Sequence, residues 1–166
     1  MKTILLTSGT GAFSLGLARA LHRAGNRVIA TDCWEKVVCR YSRAVESFHH
    51  VPSPALATSA WVDAILAISK EQRVDLIVPV FEEALYLARA LEQQVSPPKV
   101  FASDFHTLLT LHNKWLFNRR ARELSLPVPE SRLLTSRDDA LNAFSENSDR
   151  VFKPVYSRWA SHIVVR

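Results

Sequence analysis

The sequence predicts an α/β fold, a doubly wound parallel sheet followed by the start of a second lobe. Three observations carry this. Apolar runs of strand length alternate with longer segments of helical period over residues 1–110. All four glycines (Gly9, Gly11, Gly16, Gly25) fall in the first 25 residues, and two of them lie between the first run and the first helical segment. From Asn113 the rhythm changes, so residues 111–166 read as a different arrangement. Strand, helix, strand at the first rhythm requires crossover connections, hence parallel pairing with helices on both faces.

In chain order, "TILLT" (3–7) is the first strand, closed by a glycine turn. "SLGLARALHRAG" is a helix with Leu17, Leu21 and Ala24 on one face and Gly25 as its stop. "RVIATD" (27–32) is the second strand. "EKVVCRYSRAVES" is basic and ambiguous, and "SFHHVPSP" holds a short third strand ended by prolines. "ATSAWVDAILAISKEQR" spaces Trp61, Ile65 and Ile68 as one helical face, with Thr58 or Ser59 as N-cap. "VDLIVPV" (74–80) is a buried strand, and "EEALYLARALEQQ" is its helix. "KVFAS" (99–103) is a fifth strand and "DFHTLLTLH" a short helix begun by Asp104. In the second part, helix "KWLFNRRARELS" stops at "LPVP", because proline cannot continue a helix and restrains the residue before it. Strand "ESRLLT", helix "SRDDALNAFS", strand "RVFKPV" and a further strand "HIVVR" follow.

Composition narrows the function classes. The 166 residues are 48% hydrophobic and 22% charged, an ordinary globular balance. Of the formal +5, residues 113–166 hold +4, from 10 basic and 6 acidic groups. No Lys/Arg run and no aromatic interleaving accompanies that excess, so a local anionic ligand such as a nucleotide polyphosphate is expected rather than nucleic acid. The two cysteines, Cys33 and Cys39, lack a zinc spacing and read as reduced thiols. No apolar segment is long enough for a bilayer. The signal-peptide likeness of the N-terminus is broken by "TSGTG", so a cytoplasmic location without membrane contact is expected.

Gly9 and Gly11 stand where a strand-to-helix turn brings backbone N–H groups to the sheet's carboxyl edge. They match the dinucleotide fingerprint only in part: the third position is Ser14, and Gly16 comes two residues late. Asp32 ends the second strand, in the region of a ribose-binding acid. A tight structural turn explains the same residues. Glu82 and Glu83 follow the fourth strand, on the substrate side of such a sheet or simply in the acidic first turn of a helix. The six histidines show no metal spacing. Lys114 follows Asn113, a plausible N-cap, and Lys153 sits on a strand before a proline. Two such lysines can converge on a polyphosphate as point charges, or remain solvated surface groups.

The words "RYSRAVESFHHVPSP", "VDLIVPVFEEALYLAR", "LHNKWLFNRRARELSLPVPESRLLTS" and "VFKPVYSRWAS" together resemble the ATP-grasp superfamily. They are most similar to its carboxylate–amine ligase-like members, the carbamoyl-phosphate synthase and biotin carboxylase type. The resemblance implies a Rossmann-like pre-ATP-grasp domain over 1–110 and the incomplete beginning of the ATP-grasp N-terminal subdomain over 111–166. It implies phosphate-binding lysines at Lys114 and Lys153, and a phosphate-closing loop at "YSRWAS" with Ser157, Arg158 and Ser161 as donors. On that helix Trp115, Phe117, Ala121 and Leu124 are expected to pack inward, with Arg119, Arg120 and Arg122 solvated. Gly9, Gly11, Glu82 and Glu83 would serve the substrate side.

That loop contains no glycine, and the adenine hinge and the acidic magnesium ligands of the superfamily are not in this sequence. The resemblance therefore implies an N-terminal portion of an ATP-dependent, ADP-forming ligase, not catalytic alone. The whole enzyme would use ATP and Mg2+, with the metal ligands beyond residue 166, to activate a small carboxylate as an acyl phosphate for attack by an amine or similar nucleophile. A homodimer is compatible with it. The competing expectation is a non-catalytic Rossmann-like module that binds a dinucleotide or another small molecule. A third is a protein that has kept the fold and lost catalysis.

Overall fold

The structure is a computed structural model that describes residues 1–146, 149–157 and 162–165. The chain divides into two compact units, Met1–Phe105 and His106–Arg166.

In the first unit, β1 (Thr3–Leu6), β2 (Arg27–Asp32), β3 (Ser47–His50) and β4 (Leu76–Val78) form a parallel sheet in the order β3-β2-β1-β4. The expected fifth strand is reduced to one parallel bridge between Ile77 and Val100, flanked by the hydrogen bonds Ile77 N–H to Lys99 O and Phe101 N–H to Ile77 O. The prolines at 97 and 98 leave little chain before it to pair.

Alternate strand residues face opposite layers. Leu5, Ile29 and Ile77 pack with Trp61, Val62, Ile65 and Ile68 of α2 (Thr58–Glu71) and Leu87 of α3 (Glu83–Leu91). Ile4, Leu6, Val28, Ala30 and Val78 turn the other way, toward Ala18 of α1 (Ala12–Arg23) and Cys39. Each fully buried Leu or Ile contributes about 1.5–3 kcal/mol by leaving water. The helical stripe expected on α2 is the one buried. On α1 the deepest residues are Ser14 and Ala18; Leu17 and Leu21 are only partly buried and Ala24 is exposed. Small side chains occupy the line of closest approach to the sheet, which a search for large apolar residues passes over.

Gly25 ends α1 with a positive φ of 79°, the left-handed conformation that a glycine adopts without a Cβ penalty. The ambiguous basic segment contains a single 3₁₀ turn, Val38–Tyr41. The N-cap of α2 is Ala57 rather than Thr58 or Ser59; the Thr58 hydroxyl instead donates back to Pro54 O at 2.7 Å.

The second unit has α4 (Phe105–His112, starting at the boundary), α5 (Lys114–Glu123), α6 (Arg137–Glu146) and the antiparallel pair β5 (Val151–Phe152) and β6 (Val164–Val165). Residues 130–135 form no strand, contrary to expectation. That segment is held by side chains instead: the Asn118 amide donates to Pro129 O and Ser131 Oγ, both at 3.1 Å. On α5 the buried residues are Asn118 and Ala121, whereas Phe117 and Leu124, expected inside, are 47% and 56% exposed. Asn118 lies inside, where its amide ties down the post-helix segment, and the apolar positions 117 and 124 lie off that buried face.

Candidate functional site

At the carboxyl edge of the first unit's sheet, the β1–α1 turn is closed on itself. Asp32, 5% exposed, accepts from Gly9 N–H at 2.8 Å, Thr10 Oγ1 at 2.6 Å and Ser8 Oγ at 3.4 Å through Oδ2. Its Oδ1 accepts from Trp34 N–H at 3.0 Å. Gly9 O in turn accepts from Cys39 N–H at 3.1 Å. A Cβ on Gly9 would meet Cys39 Cβ and Val37 Cγ2 at 3.1 Å each, tighter than an ordinary contact, so the lack of a side chain favours the close approach of the 3₁₀ segment. Gly11 is the N-cap of α1, beside the Phe13 ring. Phe13 meets Phe81 edge-on with centroids 4.7 Å apart, joining this turn to the β4–α3 turn.

Glu83, also 5% exposed, points into the β4–α3 turn. Its Oε1 accepts from Thr7 Oγ1 at 2.7 Å, Val80 N–H at 2.9 Å and Phe81 N–H at 3.1 Å. It thereby ties the end of β1 to the end of β4. Glu82 is the N-cap residue of α3 and is half-buried. The four residues assigned to the substrate side by sequence thus lie on two adjoining turns of one sheet edge. Asp32 and Thr7 organise that edge, and neither stands out in sequence as a loop anchor: their partners depend on how the turns close.

Burial, with the Asp32 charge nearby, raises the pKa of Cys33 and of Cys39 above the ordinary thiol value. Both thiols are therefore poor nucleophiles at neutral pH. His49 Nε2 lies 3.4 Å from Ser47 Oγ and His50 Nε2 lies 3.0 Å from Cys33 O. Among the described residues no group of three or more His, Cys, Asp or Glu side chains could hold a metal ion.

In the second unit, Asn113 caps α5, its Oδ1 accepting from Leu116 N–H at 2.9 Å. The residues after Lys153 come to that helix start. Lys114 N–H donates to Val155 O at 3.1 Å, Lys114 Nζ to Ser157 O at 2.9 Å, and Asn113 Nδ2 to the Tyr156 hydroxyl at 2.9 Å. Lys153 itself is exposed just past β5. Arg158 and Ser161 lie outside the described residues. Of the α5 arginines, Arg120 pairs with Glu123 at 3.0 Å on the surface and Arg122 donates to Pro129 O at 3.4 Å, while Arg119 is exposed. The Asn113–Tyr156 contact was not legible from sequence, since it joins residues 43 positions apart.

The sequence matches no protein-family model and no curated protein. Solved structures do match the fold. The biotin carboxylase domain of 2-oxoglutarate carboxylase from Hydrogenobacter thermophilus, a dimer in complex with MgADP, ADP and bicarbonate, superposes with a TM-score of 0.76 at 16% identity. That match covers 99% of this chain and 37% of the other. Biotin carboxylase from Campylobacter jejuni in its β,γ-ATP complex gives 0.73 at 15% identity over 99% and 38% of the two chains. L-amino acid ligase from Bacillus licheniformis gives 0.71 at 20% identity over 95% and 38%. The chain thus has the fold of the N-terminal part of these ATP-grasp enzymes and spans less than two-fifths of their length.

Proposed function

We propose that this chain supplies the front of an ATP-dependent ATP-grasp ligase: a Rossmann-like substrate-side unit and the beginning of a phosphate-binding lobe. The observation that carries this is the joining of the α5 start to the segment after Lys153. One lysine sits at a helix N-terminus and another enters the same unit from a strand end, an arrangement that favours an anion by dipole and charge together. Lys114, Lys153 and Ser157 are the groups suited to the phosphates of ATP, with Arg158 and Ser161 as further donors. ATP, when bound, would supply the phosphoryl group that activates a small carboxylate for attack by an amine.

The chain's own part is positioning and charge. Lys114 already has its Nζ on the Ser157 carbonyl, so an arriving phosphate would exchange one oxygen partner for another, with the side chain held in place beforehand. Gly9, Gly11 and Glu82 would face the carboxylate-side substrate, on an edge that Glu83 and Asp32 hold rigid. Magnesium ligands do not occur as a cluster among the described residues, and no step of this reading depends on them.

The dinucleotide-module reading is less favoured. Gly9 N–H, which would serve a pyrophosphate, donates to Asp32, and Asp32, which would serve a ribose, already accepts four donors. Calorimetric titration of ATP and of NAD+ into the full-length gene product separates the two. Saturable ATP binding that weakens about tenfold to a hundredfold in Lys153→Ala and Lys114→Ala, as loss of a charge-assisted contact of about 1.5–3 kcal/mol requires, supports the ligase. NAD+ binding that depends on Gly9 and ignores both lysines would overturn it.

A further inference from the structure

We propose that the first unit carries an oligophosphate-binding groove beside α1, distinct from the carboxyl edge of its sheet. The groove, about 440 Å³, lies along the second half of α1, opposite the segment that leaves the 3₁₀ turn. Arg19, His22 and Arg23 line one wall; Tyr41, Ser42 and Arg43 line the other. Its size is in the range of small-ligand sites. No acidic side chain contributes to the lining.

Among the described residues the three arginines lack counter-ions. Arg19 and Arg23 are one helical turn apart, and α1, "AFSLGLARALHR", contains no acid along its whole length. Like charges at that spacing repel, by about 0.2–0.5 kcal/mol. Among the described residues, Arg19, Arg23 and Arg43 make no hydrogen bond or ion pair, and the nearby carboxylate of Glu46 is held by Arg27 Nε at 2.6 Å. Neighbouring Arg40 shows the contrast: it donates to Glu35 O at 3.1 Å and lies over the Phe48 ring.

Neutralising the α1 dipole accounts for His22 and Arg23 in the last turn. It does not account for Arg43, which comes from another segment. The turn that presents Arg43 is built: Ser42 Oγ accepts from Ala44 N–H at 3.2 Å, Val45 N–H donates to Ser42 O at 3.0 Å, and Ala44 is buried. Guanidinium forks on two walls match the oxygens of successive phosphates bidentately, better than a single carboxylate matches them.

Calorimetric titration of inorganic tripolyphosphate into the full chain at 100 mM salt tests this, with variants Arg19→Gln, Arg43→Gln and Lys153→Ala. Both arginines are exposed, so circular dichroism is expected to show all variants folded. The expected result is a saturable site that weakens about tenfold or more in either arginine variant and persists in Lys153→Ala. Affinity unmoved by both arginine changes, or lost only in Lys153→Ala, would overturn the groove. Citrate binding as tightly as tripolyphosphate would overturn the assignment to phosphate.

Discussion

Asp32 is the residue on which the carboxyl edge of the sheet depends. Replacing it with alanine strands four donors, Gly9 N–H, Thr10 Oγ1, Ser8 Oγ and Trp34 N–H, of which the buried ones cost about 1–3 kcal/mol each when left unmade. Asp32→Ala is therefore expected to lower unfolding stability by about 2–4 kcal/mol in urea titration, and Asp32→Asn, which keeps one acceptor, by less. An unchanged midpoint in Asp32→Ala would show that the turn is held by other contacts. The two thiols lie close by, and their raised pKa values carry a second expectation. Cys33 and Cys39 should alkylate more slowly than a free thiol at pH 7.5, with the rate rising as the pH is brought toward their shifted values; a fast reaction at neutral pH would contradict the burial assigned as the cause. At this scale the sequence located the acid and the glycines but not their relation. An Asp at the end of a second strand fits a ribose ligand and a loop anchor equally, and only the closed turn distinguishes them.

Helix caps and strand edges show where local sequence is sufficient and where it is not. Asn113 was readable as a cap because its chemistry acts over three residues, and Asn113→Ala is expected to cost about 1 kcal/mol in thermal melts of the chain. The same change removes the Tyr156 contact, so the residues after Lys153 should become more accessible to proteolysis; Asn113→Ser, which restores the cap without the amide donor, should recover the melt and not the protection. At the start of α6, Asp139 accepts from the Thr135 hydroxyl and N–H, and these bonds hold its pKa below the ordinary Asp value. A depressed folded value means that the stabilisation is present above the unfolded pKa and disappears as pH falls through the folded one. Amide protection factors in the first turn of α6, referred to intrinsic exchange at each pH, should accordingly fall on acidification below about pH 4, and constant protection factors there would contradict the assignment. Residues 130–135 do not form the expected strand for a non-local reason: whether "ESRLLT" pairs depends on a partner, and Asn118 binds that segment by side-chain bonds.

Across the whole molecule the buried apolar residues are unequally shared. Among the described residues, every buried hydrophobic side chain except Ala121 belongs to the first unit, most of them in clusters on both faces of its sheet. The alternation that builds these clusters is written in the strands themselves, which is why the doubly wound fold was legible from periodicity. The second unit was less legible because its short strands and exposed leucines follow no single period. Leu111, Phe117, Leu124, Leu126 and Leu141 there are each 47–57% exposed. Chain-ordering entropy of about 1–2 kcal/mol per residue has to be offset by such burial, and the two side chains buried among the described residues of the second unit, Asn118 and Ala121, do not reach that level. Residues 1–105 expressed alone should therefore melt cooperatively by circular dichroism, while residues 106–166 alone should show a shallow, non-sigmoidal loss of signal. A cooperative melt of 106–166 would mean that its half-exposed apolar surface suffices. The expected outcome instead places Lys114 and Lys153, proposed above as phosphate ligands, in a unit of marginal stability of its own, so that a ligand bound at those lysines would raise its stability by linkage.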